Sequence, residues 1–140
     1  MTILGEWVKY SSFLTDFNIS NNKISSEVFG DFLYDLARNK SIRNLNISNN
    51  KVVPKIIHHK RNQNEDEENI LHTLKYLCVH LLRNPVIQHV DFSNIGLRDF
   101  MIFKICNDIK SSNLLQSIHF SANPGVTDEV KEKVCQIFEF

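Results

Sequence analysis

The sequence of 140 residues contains few of the residues that mark several common classes of protein. It has only 3 cysteines and 4 glycines, and no apolar run approaches the roughly 18 residues of a membrane-spanning helix. An odd number of widely separated cysteines argues against a disulfide framework and favours a reducing compartment. No glycine-rich, phosphate-binding loop is present either.

The chain also has no net charge. The 16 Lys and Arg residues balance 16 Asp and Glu residues, so the formal charge at pH 7 is zero. A dedicated nucleic-acid binder, or a protein that binds an anionic membrane surface, usually has a basic excess. The first residues show no basic segment followed by an apolar run, so no signal peptide is expected. We therefore expect a cytoplasmic protein with no nucleic-acid partner and no membrane insertion.

The sequence does contain an internal repeat. Four segments share one pattern: an apolar residue, two polar residues, then apolar, polar, apolar and Ser. They begin at Leu14, Ile42, Ile87 and Leu115, at successive spacings of 28, 45 and 28 residues. The middle spacing exceeds the others by 45 − 28 = 17 residues, so the second repeat carries an insertion. A fixed period of this length indicates a repeat architecture.

Between these segments the apolar period changes from 2 to 3.6, which predicts amphipathic helices. The same apolar columns, at i, i+3, i+4 and i+7, occur in three connecting segments: Phe29, Phe32, Leu33 and Leu36; Leu74, Leu77, Cys78 and Leu81; Ile102, Ile105, Cys106 and Ile109. A last helix is predicted from Thr127 or Asp128, either of which can cap it. Its matching columns hold Val130, Val134 and Ile137, whereas Lys133 stands where an apolar residue is expected.

A strand followed by a helix every 28 residues resembles the leucine-rich repeat, and the repeat length is similar to that of the ribonuclease-inhibitor-type subfamily. The resemblance covers nearly the whole chain. It implies an α/β fold, a right-handed solenoid of about four strand–helix repeats with a short parallel sheet on its concave face. The predicted single domain, 1–140, has a partial preceding repeat or cap at 1–13 and repeats at 14–41, 42–86 with an insertion at about 53–69, 87–114 and 115–140.

In this family, an asparagine after each strand hydrogen-bonds the backbone of neighbouring turns, where polar groups would otherwise be unpaired. Asn22, Asn50 and Asn123 occupy that position here, but Ile95 occupies it in the third repeat. The resemblance therefore implies that this series of contacts is broken or rearranged at Ile95.

The ends of the chain also follow the repeat. Residues from about Ile3 to Tyr10 match the end of a repeat helix, with Gly5 and Val8 in buried columns, and Trp7 is expected to cover its exposed end. Solenoids generally need polar capping repeats, and neither end shows an obvious one. We therefore interpret the chain as a fragment of a longer solenoid or as part of a larger assembly that covers its ends.

The insertion has its own charge pattern. A basic block at about 55–61 precedes an acidic block at 65–68, without apolar periodicity. This pattern predicts a solvated loop, of the kind that solenoids present on one edge and sometimes use for docking.

Alternate residues of each predicted strand face the concave side. The candidate partner-binding residues there are Asp16, Asn18, Asn44, Asn46, His89, Asp91, Ser117 and His119. His119, Asp91 and a neighbouring serine have the composition of a nucleophile, base and orienting acid. Because serine recurs in every repeat and a flat sheet offers no oxyanion donors, we expect no catalytic residues and no enzyme activity.

No metal site and no cofactor are expected. His72, Cys78 and His80 lie on one predicted helix, but without the i, i+4 histidine pair of a typical zinc site. Cys78 and Cys106 share a buried column and are interpreted as small core residues.

Three functions stay open. The first is a non-enzymatic protein–protein interaction module or scaffold subunit. Relatives of this repeat type include actin-filament capping proteins of the tropomodulin kind, capping-protein regulators, axonemal scaffold subunits and cytosolic immune receptors, and the resemblance does not choose among them. The expected intracellular location and a composition rich in Asn, Ile and Lys, as an AT-rich genome produces, favour a cytoskeletal or ciliary role. The second is regulation of a small GTPase, because the activating protein of the nuclear-transport GTPase has the same repeat type; Arg43 would be the candidate contact. The third is a purely structural subunit of a large complex.

Overall fold

The computed structural model describes residues 3–53, 63–111 and 114–138. Helices and short strands alternate along the chain, as predicted for an α/β protein. The elements are α1 (Ile3–Tyr10), β1 (Asp16–Asn18), α2 (Ser26–Ala37), β2 (Asn44–Asn46), α3 (Gln63–Lys75) with a π-helical continuation (Tyr76–Leu81), β3 (His89–Asp91), α4 (Asp99–Lys110), β4 (Ser117–His119) and α5 (Asp128–Ile137).

The four strands form one parallel sheet in the order β1-β2-β3-β4. Asp16 pairs with Asn44, Asn44 with His89 and His89 with Ser117, so equivalent positions of the repeat stand side by side. The sequence spacing alone predicts this register. An α/β chain with such a sheet is consistent with a leucine-rich-repeat-like fold.

One hydrophobic core runs between the sheet and the helices. All of the apolar columns predicted for α2, α4 and the helix between them are buried, from Phe29 to Ile109. The central strand residues Leu45 and Val90 are buried at 2% and 1% exposure and point into the same core. The periodicity prediction is therefore confirmed in all three helices.

A buried asparagine joins the β1 and β2 turns, as the resemblance implied. Asn50 Nδ2 donates to the Ile19 carbonyl at 2.9 Å, and its Oδ1 accepts from the backbone N–H groups of Asn22 and Ile24 at 3.1 Å. Asn22 stands at the first of these positions, and its own Nδ2 donates to the carbonyls of Ile19 and Ser20. Asn50 is thus a bridge between turns, whereas the Asn22 side chain bonds within its own turn.

A second asparagine bridge joins the β3 and β4 turns. Asn123 Nδ2 donates to the carbonyls of Phe92 and Phe120, both at 2.8 Å. Its Oδ1 accepts from three consecutive backbone N–H groups, those of residues 95–97, at 3.0 to 3.1 Å. The Asn123 side chain is 5% exposed. These buried backbone groups would destabilise the fold if they were unpaired, and the one side-chain amide of Asn123 satisfies all of them.

Between β2 and β3 the bridge is replaced, as predicted. Ile95 is 1% exposed and packs in the core. The backbone hydrogen bond between the turns also differs. At this junction Val53 N donates to the carbonyl of Ile95 in the following repeat, at 3.0 Å, whereas at the previous junction Lys51 N donates to the carbonyl of Ile24 in the preceding repeat. Sequence reasoning therefore located the rearrangement correctly.

Two further asparagines bridge the turns that precede the strands, and sequence analysis missed them. Asn39 Nδ2 donates to Val8 O at 2.6 Å, and Asn84 Nδ2 donates to the carbonyls of Ala37 and Asn39 at 2.8 Å. Each lies three residues before the first apolar position of its repeat, Ile42 or Ile87. That shared offset is the signal that could have identified them.

The structure of the insertion differs in part from the predicted solvated loop. Helix α3 begins at Gln63, so the acidic block at 65–68 is helical and the prediction of a loop is wrong there. The buried Ile70 and Leu74 anchor the helix to the core. The basic block at 55–61 lies outside the described residues.

The two ends of the sheet are finished differently. Helix α1 spans Ile3–Tyr10 as predicted, with Gly5 and Val8 buried. Trp7, however, is 56% exposed beside the still more exposed Tyr10, so it covers little of this end. At the other end Thr127 caps α5 as predicted, its Oγ1 accepting from Val130 N at 3.2 Å.

Lys133 occupies its apolar column without being buried. It is exposed, its Nζ lies 2.6 Å from Glu129 Oε1, and the same nitrogen lies 5.4 Å from the centre of the Phe103 ring. A long side chain thus covers apolar surface while its charge stays in water. None of the helices in the described part of the chain is both long and apolar enough to cross a membrane.

Candidate functional site

The structure places all eight predicted binding residues on the face of the sheet opposite the core. We call this surface the polar face. Its first row is Asp16, Asn44, His89 and Ser117, and its second row is Asn18, Asn46, Asp91 and His119. Every one of these side chains is exposed or half-buried. Seven of them, all but Ser117, line an open groove of about 380 Å³.

The β1–β2 part of the first row is a carboxylate–amide pair. Asn44 Nδ2 donates to Asp16 Oδ1 at 2.5 Å, and Thr15 Oγ1 donates to Asp16 Oδ2 at 2.8 Å. These two hydrogen bonds, the one from Asn44 above all, hold the pKa of the Asp16 carboxyl below its ordinary value. Asp16 therefore carries a full negative charge at neutral pH.

The β3–β4 part of the first row is an imidazole–hydroxyl pair. His89 Nδ1 and Ser117 Oγ lie 2.6 Å apart, a hydrogen bond whose direction depends on the histidine tautomer. The first row thus consists of two cross-strand pairs. Asn44 and His89, which face each other across the β2–β3 junction, each bond to the outer strand on their own side.

The second row has a structural task that sequence analysis did not foresee. The Oδ1 atoms of Asn18, Asn46 and Asp91 each accept a backbone N–H two residues later, at 2.9, 2.9 and 2.8 Å. Such Asx turns redirect the chain as each strand ends. They also orient what remains: the Nδ2 donors of the two asparagines and the Oδ2 acceptor of Asp91.

The Asp91 carboxylate and the histidine–serine pair of the polar face take part in different contacts. Asp91 Oδ1 accepts from the backbone N–H of Ser93, and within the polar face the histidine–serine contact is between His89 and Ser117. What the face offers chemically is a set of ordered hydrogen-bonding groups and two carboxylates.

The cysteines contribute to the core. Cys78 and Cys106 are buried free thiols at 1% exposure, as the interpretation of them as core residues requires. Burial raises the pKa of Cys78 to about 12, with the Asp108 carboxylate adding to the effect, and burial raises that of Cys106 to about 11. Both thiols are therefore unreactive at neutral pH. Within the described ranges, His, Cys, Asp and Glu residues form no group of three or more that could hold a metal ion.

Arg43, the candidate for contact with a GTPase, is exposed immediately before β2. Its backbone N–H donates to Thr15 O at 2.8 Å, and its carbonyl accepts from the backbone of Gln88 and His89. The backbone of this residue is thus part of the sheet, at the edge of the polar face.

Comparisons with known proteins give a fold and no sequence family. No family model matches the chain, and no curated protein matches it. Among solved structures it is similar to one titled "Leiomodin-1 Actin-Binding Site 2 (ABS2)", with a TM-score of 0.73 and 16% identity over 99% of this chain and 74% of that one. It is also matched to the tropomodulin C-terminal domain of Caenorhabditis elegans, with a TM-score of 0.48 and 14% identity over 97% and 89% of the two chains.

At 16% identity, the likeness to the leiomodin-1 structure shows that the two chains share an α/β fold, consistent with leucine-rich-repeat-like architecture. Fold and site therefore define an α/β protein, consistent with a leucine-rich-repeat-like fold, that has an ordered polar face on its parallel sheet.

Proposed function

We propose that this chain is a non-enzymatic protein-interaction module of the cytoskeleton, acting in the cytoplasm, and that its polar face binds the partner protein. The observation that carries the proposal is the alignment of eight polar side chains in two rows, seven of which, all but His119, are oriented by hydrogen bonds to the backbone or to one another. Groups held in place before binding lose little conformational entropy when a partner arrives.

Actin is the partner we propose to test first. The structure of similar fold carries an actin-binding site in its title, and the shared fold extends over 99% of this chain. A scaffold role, in the cytoskeleton at large or in cilia, is a narrower form of the same proposal.

The proposal includes the finer architecture that the repeat implies. A right-handed solenoid of four ribonuclease-inhibitor-type repeats, beginning near Leu14, Ile42, Ile87 and Leu115, is supported by the register of the sheet and the recurring asparagine positions. In such a solenoid the polar face is the concave surface.

The test is co-sedimentation with actin filaments, together with titration of labelled actin monomers. We expect the unmodified chain to bind in at least one of these assays and Asp91→Arg, which places a cation in the middle of the polar face, to weaken binding at least tenfold. Asp91→Asn keeps an oxygen acceptor for Ser93 N, so it separates the effect of losing the charge from the effect of losing the turn. Glu132→Arg reverses a charge on the exposed side of α5 and controls for net charge. Unchanged affinity of Asp91→Arg would contradict the use of the polar face.

A second candidate function is that of a structural subunit in a larger assembly. It is favoured by the apolar residues around α1, where Ile3, Tyr10 and Phe13 are 90%, 75% and 93% exposed. Sedimentation velocity over a range of concentrations tests it. Association that Phe13→Ser and Tyr10→Ser abolish would support this role, and a monomer at all concentrations would favour the interaction module.

A further inference from the structure

With histidine counted as neutral, the formal charges among the eight residues of the polar face are all negative, and exposed Arg43 lies at the edge of the face. Its eight residues include the two carboxylates of Asp16 and Asp91 but no lysine or arginine, although the chain contains 16 Lys and Arg residues. The net charge of the chain is zero, so this separation is a property of the face and not of the whole protein.

Both carboxylates are held in position. Asp16 is fixed by Asn44 and Thr15, whose hydrogen bonds also favour its ionised form. Asp91 is fixed through Oδ1 by the Ser93 backbone, which directs the charge of its other oxygen outwards. Oriented anions of this kind are the usual partners of lysine and arginine side chains.

The two charges also have a defined separation. Asp16 is in register with Asn44 and His89, so it lies two strand spacings from β3, and Asp91 lies two residues further along β3. Strand spacings of about 4.8 Å and a rise of about 3.3 Å per residue place the two backbones roughly 12 Å apart. An extended peptide covers this distance in about four residues, and residues four apart on a strand face the same side.

The neighbouring amides fit the backbone of such a peptide. Asn18 and Asn46 use Oδ1 for their own turns, so each presents Nδ2, a donor. Backbone carbonyls of an extended segment are the acceptors that such donors bind. The face therefore offers anions for cationic side chains and donors for the peptide backbone between them.

We propose that the polar face binds an extended basic segment of the partner protein, with lysine or arginine at positions i and i+4 opposite Asp16 and Asp91. This inference rests on the proposed function, because it names the chemistry of the partner at the same surface. Association is steered by charge and weakens as salt rises.

The test uses a short peptide and backbone amide NMR of the full chain. The probe is acetylated and amidated Lys-Ser-Gly-Ser-Lys, and its matched control has glutamine in place of both lysines. We expect the lysine peptide to shift the amide signals of β2 and β3, with at least threefold weaker binding in Asp91→Asn or Asp16→Asn. Asn46→Asp, which adds a third carboxylate to the polar face and a second one to its second row, is expected to strengthen binding at least twofold.

Asp91→Asn keeps the turn because asparagine makes it at Asn18 and Asn46, and Asn46→Asp keeps it because aspartate makes it at Asp91. Asp16 is exposed, and Asp16→Asn retains an oxygen that can accept from Asn44. Glu132→Gln on α5 removes an equal charge away from the face and is expected to change nothing. Equal shifts by the glutamine peptide would overturn the inference about charge. Lysine-peptide shifts confined to other regions, or no shifts with either peptide, would overturn it as well.

Failure of this inference differs from failure of the proposed function. If Asp91→Arg abolishes actin binding while the lysine peptide does not bind, the polar face is the binding surface and only the basic chemistry is wrong. If the lysine peptide binds the face but actin does not bind the chain, the basic chemistry stands and the proposed partner is wrong.

Discussion

The outer and middle junctions of the sheet are built differently. At the β1–β2 junction the buried Asn50 ties the two turns together, and at the β3–β4 junction Asn123 does the same. At the β2–β3 junction the corresponding residue is Ile95, and the insertion enters the chain between these two strands. The comparison shows that one repeat position can be satisfied by a polar bridge or by apolar packing.

The polar face follows the same division. Asp16 pairs with Asn44 on one side and His89 with Ser117 on the other, so the first-row pairs coincide with the two asparagine-bridged junctions. Before the strands, the first and the middle junctions are both bridged, because Asn39 and Asn84 each donate to carbonyls of the preceding turn. At the middle junction, Asn94 Nδ2 also donates to Asn49 Oδ1 at 2.9 Å. We call the β2–β3 junction the seam. In the first row, Asn44 and His89 face each other there, and each bonds to the strand on its other side. Both residues line the groove.

The largest effect is expected from removing an asparagine bridge. Asn123→Ala leaves three backbone donors and two carbonyls without their buried partner. At about 1 to 3 kcal/mol for each unsatisfied group, partly offset by entering water, the free energy of unfolding should fall by about 4 kcal/mol. Asn22→Ala, at the equivalent exposed position, should cost about 1 kcal/mol or less. Urea unfolding of both variants measures the difference, and equal costs would contradict the bridge.

The next effect concerns the close approach of backbones at the β3–β4 junction. A Cβ added to Gly125 would lie 2.2 Å from the Arg98 carbonyl carbon, so Gly125→Ala must push the two turns apart. We expect a loss of about 3 kcal/mol, as for other overpacked sites. Gly30→Ala in α2 is the matched control, because the nearest neighbour of its Cβ beyond the adjacent turns of the helix would be His72 Cε1, at 4.0 Å. It should raise stability by up to about 1 kcal/mol. Thermal unfolding that ranks the two variants the other way would refute the packing argument.

The thiols report whether the seam opens in the native state. Exposed Cys135 should react with a thiol reagent within minutes at pH 8, whereas Cys78 and Cys106, with pKa values raised to about 12 and 11, should react at least a hundredfold more slowly. Mass spectrometry of timed samples counts the labelled sites. Rapid joint labelling of the two buried cysteines would show that the helices behind the sheet separate locally.

The smallest effect is a pH dependence of stability that comes from Asp16, on the β1–β2 side of the polar face. The pKa of Asp16 is lowered in the folded protein, so its contribution to stability is present above the unfolded pKa and is lost as the pH falls through the lower folded value. Between neutral and acidic pH, the free energy of unfolding should therefore fall slightly less in Asp16→Asn than in the unmodified chain. Urea midpoints at pH 6 and pH 3 measure it, and a larger loss in the variant would reverse the sign of the argument.

The sequence predicts the sheet and core well because both follow from periodicity. The four apolar columns and the equal spacing of Leu14 and Ile42, or of Ile87 and Leu115, are enough to place the helices and to set the strand register. The first turns of helix α3 were missed because they contain no apolar residue and therefore produce no periodic pattern.

The composition of the polar face was predictable, but its internal hydrogen bonds were not. Alternation assigns Asn18 and Asn46 to the face, yet an asparagine that makes a turn and one that is free to bind a partner look the same in sequence. Pairs such as His89 with Ser117 depend on side-chain rotamers at matching positions, which spacing alone does not determine.

The most direct test of the account is amide hydrogen exchange of the full chain, measured alone and with saturating actin. Binding on the polar face predicts slower exchange in β2 and β3, at Asn44–Asn46 and His89–Asp91, with little change in α4 and α5. Protection confined to the helices or to the apolar surface of α1, with β2 and β3 unchanged, would contradict it.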